Sequence, residues 1–315
     1  MTEEKTVPYA NSVFEQPWWL DTVAPGAWGE ALVRDAERVI ARLPYCFEHD
    51  RIHLPVYTQT LGIWMSDELR QFERGNSQLH RQKEVIAELL AQLPKAREVE
   101  MTLDSSLSYV LPFRWNGFRI EPSFSYRIRE LSDPEAVRSR YGKTVNKNIK
   151  AAARTLRVTD GGDDCETLLR LMEDTYARQK RGLPNGRELT ERIVRQALAN
   201  QAGKLLFACD GEGVAHSALF LLYDHNVCYY LMSGQDSRYK SDGSVNLLLA
   251  SAIDFASGVS AAFDFEGSMI EGIENLFRQF GGEIVTNYRV SRQSLVREAA
   301  ELLKPRVKKL IGYKI

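Results

Sequence analysis

YYLMSGQDSRYKSDGSVNLLLASAIDFA, residues 229–256, changes its period halfway along. Tyr229 to Ser233 is aromatic and apolar and reads as a strand, whereas Val245 to Ser257 keeps its apolar residues at helical spacing. Between them lies Arg238-Tyr239-Lys240-Ser241-Asp242-Gly243-Ser244, which is small, polar and basic. A helix start leaves backbone N–H groups unpaired at a positive dipole end, and small residues let an anion approach them. Ser241, Asp242, Gly243, Ser244 and Asn246 would line that mouth, with Arg238 and Lys240 adding charge from the flank. An ordinary N-cap by Ser244 accounts for the same residues without any ligand.

Downstream, the pattern predicts a strand at 261–265, a helix at 271–280 and a strand at 283–290. Upstream it predicts helices at 164–179 and 188–201, then strands at 204–209, 214–223 and 227–233. Ser132-Asp133-Pro134 supplies a cap residue and a proline suited to a first helical turn. A helix is therefore expected from there through a basic stretch to about Thr155, and it marks the junction between domains 1–131 and 132–315. Residues 132–155 would link the two. Before the junction, strands are expected at 30–33, 38–44, 53–65, 99–103 and 118–129, and a helix at 77–93 ended by Pro94. This is an α/β or α+β chain of 315 residues, long enough for two cores.

The two halves echo one another. Gly75-Asn76-Ser77 precedes a helix and then Asp104-Ser105-Ser106, as Asp242-Gly243-Ser244 precedes a helix and then Glu266-Gly267-Ser268. The echo continues from Gly117 to Tyr126-Arg127-Ile128, and from Gly281-Gly282 to Tyr288-Arg289-Val290.

Composition narrows the classes. With 44% hydrophobic and 26% charged residues, the chain is neither disordered nor fibrous. Cys46, Cys165, Cys209 and Cys228 lack any CxxC spacing, so neither a zinc site nor a disulfide framework is expected. The start, MTEEKTVPYA, offers acids and a proline where a secretory leader places lysines and an apolar core. A cytoplasmic protein without membrane insertion is therefore expected. The net charge of −1 gives no global field for nucleic acid, yet Arg138 to Arg157 holds seven basic residues and no acid. Lys143, Lys147 and Lys150 share one helical face and could grip a phosphate together, although a solvated face explains them equally well. Arg181, in the basic tract Arg178 to Arg187, is a second candidate.

The order strand, small basic loop, helix, strand, helix, strand resembles the acyl-CoA-binding half of the GNAT superfamily. Asn275-Leu276-Phe277-Arg278-Gln279-Phe280-Gly281 is similar to the helix end of those enzymes. Phe277 stands where many of them carry the tyrosine that protonates the leaving thiolate, so Tyr239, Tyr288 or water must serve instead. The chain further resembles the Fem-type peptidoglycan aminoacyl-transferases and the BioF2-like acetyltransferases. Gln16-Pro17-Trp18-Trp19-Leu20-Asp21, Pro55-Val56-Tyr57-Thr58, Leu61-Gly62-Ile63-Trp64, Asn146 to Ala151 and Asp264 to Ser268 carry that resemblance in collinear order. It implies two tandem GNAT-like domains, each a mixed, mostly antiparallel sheet flanked by helices. It also implies no metal and a site in the second half or its interdomain cleft. Leu231 to Ser233 would supply backbone oxyanion donors, Asn275 would help hold the donor, and Tyr57 would meet the acceptor.

Acyl transfer to an amine needs a base for the amine proton and donors for the oxyanion. Glu266 and Asp264, two apart, would share a strand face, and Glu266 is the candidate base. A turn acid capping the helix near Ile270 is the plainer reading of Glu266. His216 alternates with apolar neighbours and reads as a satisfied core histidine before it reads as a base. His49 and His53 are four apart but lie in a turn-like stretch, not on a helix that could present both to a metal. The expected activity is N-acyl transfer from acyl-CoA to a small-molecule or glycan-linked amine, with the donor phosphates on 238–246. The alternatives are a Fem-type transferase using aminoacyl-tRNA, in which the basic helix meets RNA or precursor phosphates, and a non-catalytic ligand-binding protein.

Overall fold

The computed structural model describes residues 6–70, 76–266 and 271–293, without the side chains of Asn76 and Glu271. Gly75, Gly267, Ser268, Ile270 and the tail lysines Lys304, Lys308, Lys309 and Lys314 therefore lie outside the described residues. The first elements are α1 (Pro17–Val23), β1 (Trp28–Asp35), β2 (Arg38–Glu48), β3 (Arg51–His53) and β4 (Trp64–Met65). Next come α2 (Asp67–Arg70), α3 (Asn76–Ala91), β5 (Glu98–Leu103), α4 (Leu111–Trp115) and β6 (Arg119–Ile128). They are followed by α5 (Pro134–Ser139), α6 (Lys143–Ala152), β7 (Arg157–Asp160), α7 (Cys165–Ala177) and α8 (Arg187–Ala199). The last are β8 (Gly203–Cys209), β9 (Ala215–Tyr223), β10 (Val227–Gln235), α9 (Ser244–Ala256), β11 (Ala262–Asp264), α10 (Glu271–Gln279) and β12 (Glu283–Gln293).

The chain forms two compact units. The larger holds the described residues of Met1–Pro25 and Phe124–Thr286, the smaller those of Gly26–Ser123 and Asn287–Ile315. The units therefore do not follow the 131/132 division. The start of the chain joins the larger unit because α1 packs on α8 and Val13 N–H donates to the half-buried turn acid Asp224 at 2.7 Å. The second half of β12 joins the smaller unit because it pairs with β5, Tyr288 opposite Leu103 and Gln293 opposite Glu98.

In the larger unit the strands run β11, β10, β9, β8, β7, with the end of β6 beside β11. Every pair is antiparallel except β10 with β11, which is parallel. In the smaller unit β1, β2, β3, β5 and the end of β12 lie in order, and β3 with β5 is the parallel pair. Each sheet is thus mixed and mostly antiparallel, with helices packed on it. β9 is apolar almost throughout because α7 and α9 both pack on it. Leu248, Leu249, Ala252, Ile253 and Ala256 form the buried stripe of α9, at the spacing a helix needs to face a sheet.

Two expectations are corrected. The single helix from Pro134 to Thr155 is two helices: Asp133 caps α5 as the sequence indicates, but the chain breaks at Arg140–Gly142. There Tyr141 turns into the core, edge-on to Phe280 at 5.0 Å, and Gly142 N–H donates to Gln279 O at 2.8 Å. The expected strand 53–65 is only β3 and β4, separated by ten residues outside any strand. α1, α2, α4 and β7 have no counterpart among the elements expected from the sequence.

α7 approaches β10 most closely at Gly234, where an added Cβ would sit 2.3 Å from Leu171 C and Met172 N. Thr175 Oγ1 accepts Gln235 N–H at 2.8 Å and donates back to Gln235 O at 3.2 Å, which locks the helix to the strand end. Gly234→Ala is therefore expected to lower urea-unfolding stability by about 1–3 kcal/mol. Gly211→Ala, with no atom within 4 Å of the added methyl, should leave it within about 0.5 kcal/mol.

Candidate functional site

β10 and β11 pair over three positions only, Val227 with Ala262, Cys228 with Phe263 and Tyr229 with Asp264. β11 then ends, while β10 runs on to Gln235 against β9. At the parting β10 is bulged: Tyr230 faces Leu221 and Met232 faces Phe220, so Leu231 has no opposite residue. A bulge takes its extra residue out of the ladder, which is what an oxyanion contact to backbone N–H requires. Leu231 is buried, and Ser233 is half-buried two residues further along the strand.

Asp264 has no exposed surface. Its Oδ2 accepts Arg127 Nε at 2.8 Å, and its Oδ1 accepts Ser125 Oγ at 2.5 Å and Glu266 N–H at 2.7 Å. With both oxygens engaged, Asp264 anchors the turn and is not available as a second base. Glu266 adopts φ +55°, unusual for a side chain of its size. Its Oε1 is shut off from solvent and has no partner among the described residues. Burial first, and the nearby Asp264 charge second, hold the Glu266 carboxyl well above the ordinary carboxylate range. Such a group binds its proton nearer neutrality and takes one up readily when ionised.

Tyr230, which the sequence reading placed in a strand without a role, points its ring edge at Phe277 with centroids 6.0 Å apart. Phe277 is buried and stacks on Phe265 at 4.9 Å. The Tyr230 hydroxyl donates to Ser233 Oγ at 2.5 Å, and burial raises its pKa, so it keeps its proton. The available signal was the double tyrosine Tyr229-Tyr230 at the parting: Tyr229 packs on Phe14 at 4.6 Å, which leaves Tyr230 on the other face. Tyr288 lies in the smaller unit opposite Leu103.

At the start of α9, Gly243 has φ +79°, and its Cα faces α6 so closely that a Cβ would meet Asn148 O at 2.8 Å. The mouth is partly filled by an acid. Asp242 Oδ1 accepts Ser244 N–H at 2.8 Å, and its Oδ2 lies 2.7 Å from His216 Nδ1. His216 Nε2 faces Asp210 Oδ2 at 3.3 Å, and its ring stacks on Tyr239 at 3.5 Å. His216 is therefore a buried histidine with both nitrogens engaged, and Tyr239 is held against it. Arg238 is committed within the loop, donating to Asp236 at 2.7 Å and holding that carboxyl down at about 2. Gln235 Nε2 donates to Ser244 Oγ at 3.2 Å, and Asn246 Oδ1 accepts Asn148 Nδ2 at 3.2 Å. Lys240 and Ser241 are exposed.

Of the other candidates, Lys143, Lys147 and Lys150 are exposed on α6, the helix packed against the α9 start. Arg138 pairs with Asp254 at 2.8 Å, which removes it from the basic set. Arg181 is exposed, and so is Asn275, whose Oδ1 accepts Arg278 at 3.1 Å. Tyr57 lies in the smaller unit with φ +55°. Among the described residues no group of three or more His, Cys, Asp or Glu is placed to hold a metal ion, and no helix is long and apolar enough to cross a membrane.

Residues 136–268 match the Acetyltransferase (GNAT) domain family. Among solved structures the chain is similar to FemX, at 12% identity over 90% of this chain and 93% of that one, with a TM-score of 0.64. It is also similar to L-PGS from Bacillus licheniformis, at 12% identity, 94% and 91% coverage and a TM-score of 0.56. A third likeness is to the C-terminal domain of a putative lysylphosphatidylglycerol synthetase from Agrobacterium fabrum, at 11% identity, 85% coverage of each chain and a TM-score of 0.53. At these identities the likeness is one of fold. No curated protein sequence matches the chain.

The raised Glu266 carboxyl has a signature in stability. Between the ordinary glutamate pKa of the unfolded chain and the raised value in the fold, the unfolded chain binds fewer protons, so stability falls as pH rises through that window. Glu266→Gln lacks this slope. Its Tm is expected to exceed the wild type's by a margin that grows between about pH 5 and pH 8. Parallel Tm curves would show that the fold does not hold this carboxyl protonated.

Proposed function

We propose, from the match of residues 136–268 to the GNAT acetyltransferase domain and the likeness of the fold to FemX, that this chain is an N-acyltransferase whose base is Glu266. One observation carries the reading: beside the point where β10 and β11 part, Glu266 Oε1 is shut off from solvent and has no partner among the described residues. Ionised Glu266 takes a proton from the acceptor ammonium, and the freed amine attacks the acyl carbonyl. The carbonyl oxygen gains charge and is met by backbone N–H groups of Leu231 to Ser233. As the intermediate collapses, the carbon–leaving-group bond breaks and the leaving atom takes the proton of the Tyr230 hydroxyl, the role Phe277 cannot fill; the second proton shed by the attacking nitrogen restores that hydroxyl, and Glu266 releases its own to solvent.

Acyl-CoA is the proposed donor, with its phosphates beside the 238–246 loop, chiefly on Lys143, Lys147 and Lys150 of α6. The acceptor is a small-molecule or glycan-linked amine, and the setting is the cytoplasm. The smaller unit is a degenerate copy of the same fold. A second reading has specific support: Asp242 already occupies an N–H at the helix mouth, and Phe277 replaces the thiolate acid. Both suit an aminoacyl-tRNA ester, as in the Fem-type enzymes, acting on a peptidoglycan precursor or related amine.

With acetyl-CoA and a panel of amines, Glu266→Gln is expected to lower kcat/KM by about 10²–10⁴ while the KM for acetyl-CoA stays near wild type. The wild-type rate should rise with pH along an acid limb set well above the ordinary carboxylate range. Full turnover by the variant would remove Glu266 as the base. If coenzyme A and acetyl-CoA leave the melting temperature unchanged while aminoacyl transfer is lost on RNase treatment, the donor is the aminoacyl ester.

A further inference from the structure

The smaller unit turns part of its apolar surface outward. α4 buries Pro112 and Phe113 but presents Leu111 and Trp115 to solvent, 52% and 56% exposed. Four residues apart on a helix, these two side chains lie on one face. Trp115 is the one exposed tryptophan among the described residues, and the half-buried Tyr109 meets its ring edge-on at 6.2 Å. An indole and an isobutyl group side by side in water leave burial energy unused, which marks a surface that meets something else.

The charge around this face is of one sign. Lys83, exposed on α3, places its Nζ 5.2 Å from the centroid of the Trp115 ring. Arg114 is exposed on α4 itself, between Leu111 and Trp115. Arg292, exposed on β12, lies over the Phe118 ring at 4.7 Å and reaches Asn116 O at 3.5 Å, beside the end of α4. None of these three cations forms an ion pair among the described residues. Arg119, the next cation along the chain, does face an acid, Glu121 at 3.9 Å. The sequence adds to the same sign after Arg292, since residues 302–315 hold five basic side chains and no acid.

We propose that this face docks on the surface of an anionic phospholipid membrane. Trp115 and Leu111 enter the boundary between headgroups and acyl chains, where an indole buries its apolar body and keeps its N–H wet, while Lys83, Arg114 and Arg292 stay at the phosphates. A second copy of this chain fits less well, because pairing the face with itself about a two-fold axis sets the same three cations against their own kind. Contact of this size is peripheral, reversible and sensitive to salt.

Co-sedimentation of the full chain tests this with vesicles of phosphatidylcholine alone and of phosphatidylcholine with phosphatidylglycerol in equal parts. The chain is expected to sediment with the mixed vesicles, not with phosphatidylcholine alone, and to be released by high salt. Each basic group near an anionic surface strengthens partitioning about fivefold, so Lys83→Glu combined with Arg114→Glu should weaken it at least about thirtyfold. Leu111→Ser combined with Trp115→Ser should weaken it at least about tenfold. All four side chains are exposed, so both variants should melt with the wild type. No sedimentation with the mixed vesicles overturns the assignment, as does equal sedimentation with phosphatidylcholine alone. Sedimentation that either variant leaves unchanged overturns it too, because the contact then lies elsewhere on the chain. A dimer seen by light scattering, and dissolved by Leu111→Ser with Trp115→Ser, would give the face to a second copy instead.

Discussion

Asp264, with no exposed surface, is held by Arg127 Nε at 2.8 Å, Ser125 Oγ at 2.5 Å and the N–H of Glu266 at 2.7 Å. Burial strips water from the carboxyl oxygens, and the three donors replace it. Ser125 and Arg127 are two apart on β6 and share a face, so both reach the one acid. The third donor matters most for function. Asp264 takes the Glu266 N–H where the chain adopts φ +55°, and Glu266 Oε1 is left shut off from solvent with no partner among the described residues. Asp264 thus raises its neighbour's pKa twice, by placing it in the interior and by its own charge.

The opening beside Glu266 follows from unequal strand lengths. β10 has nine residues and β11 three, so the longer strand needs other support beyond Asp264. β9 supplies it on one edge, and α7 supplies it on one face through Gly234 and Thr175. Because that support is rigid, β10 keeps its course when its parallel neighbour stops, and the bulge at Leu231 falls beside the gap.

Local pattern in the sequence carried most of the larger unit. The strand, loop, helix and strand from Tyr229 to Phe265 were legible because each has a clear period and Gly243 marks the turn. Asp133 before Pro134 marked a helix start correctly, and the alternation around His216 marked a satisfied interior histidine. What escaped was set by distant partners. Nothing near Tyr141 says that Phe280 will draw its ring inward and break a helix, and nothing near Val13 says that Asp224 will hold it. The site was legible in part for the same reason. Glu266 stood out as an acid after a strand, but the commitment of Asp264 to Arg127 and of Arg238 to Asp236 depends on side-chain reach, which no spacing displays.

Charge at the start of α9 bears on which donor phosphates could rest there. A helix dipole attracts an anion only while its first N–H groups are free, and Asp242 already holds that of Ser244. Its other oxygen is tied to His216, which Asp210 flanks from the far side, so displacing Asp242 would disturb a buried network and bring two anions together. Arg238 cannot offset that charge while it serves Asp236. Lys143, Lys147 and Lys150 are placed differently: all three are exposed on α6, beside the same mouth, and none forms an ion pair among the described residues. The part of this region best suited to phosphate is therefore the lysine row along α6, a surface that accepts an extended backbone as readily as a single pyrophosphate.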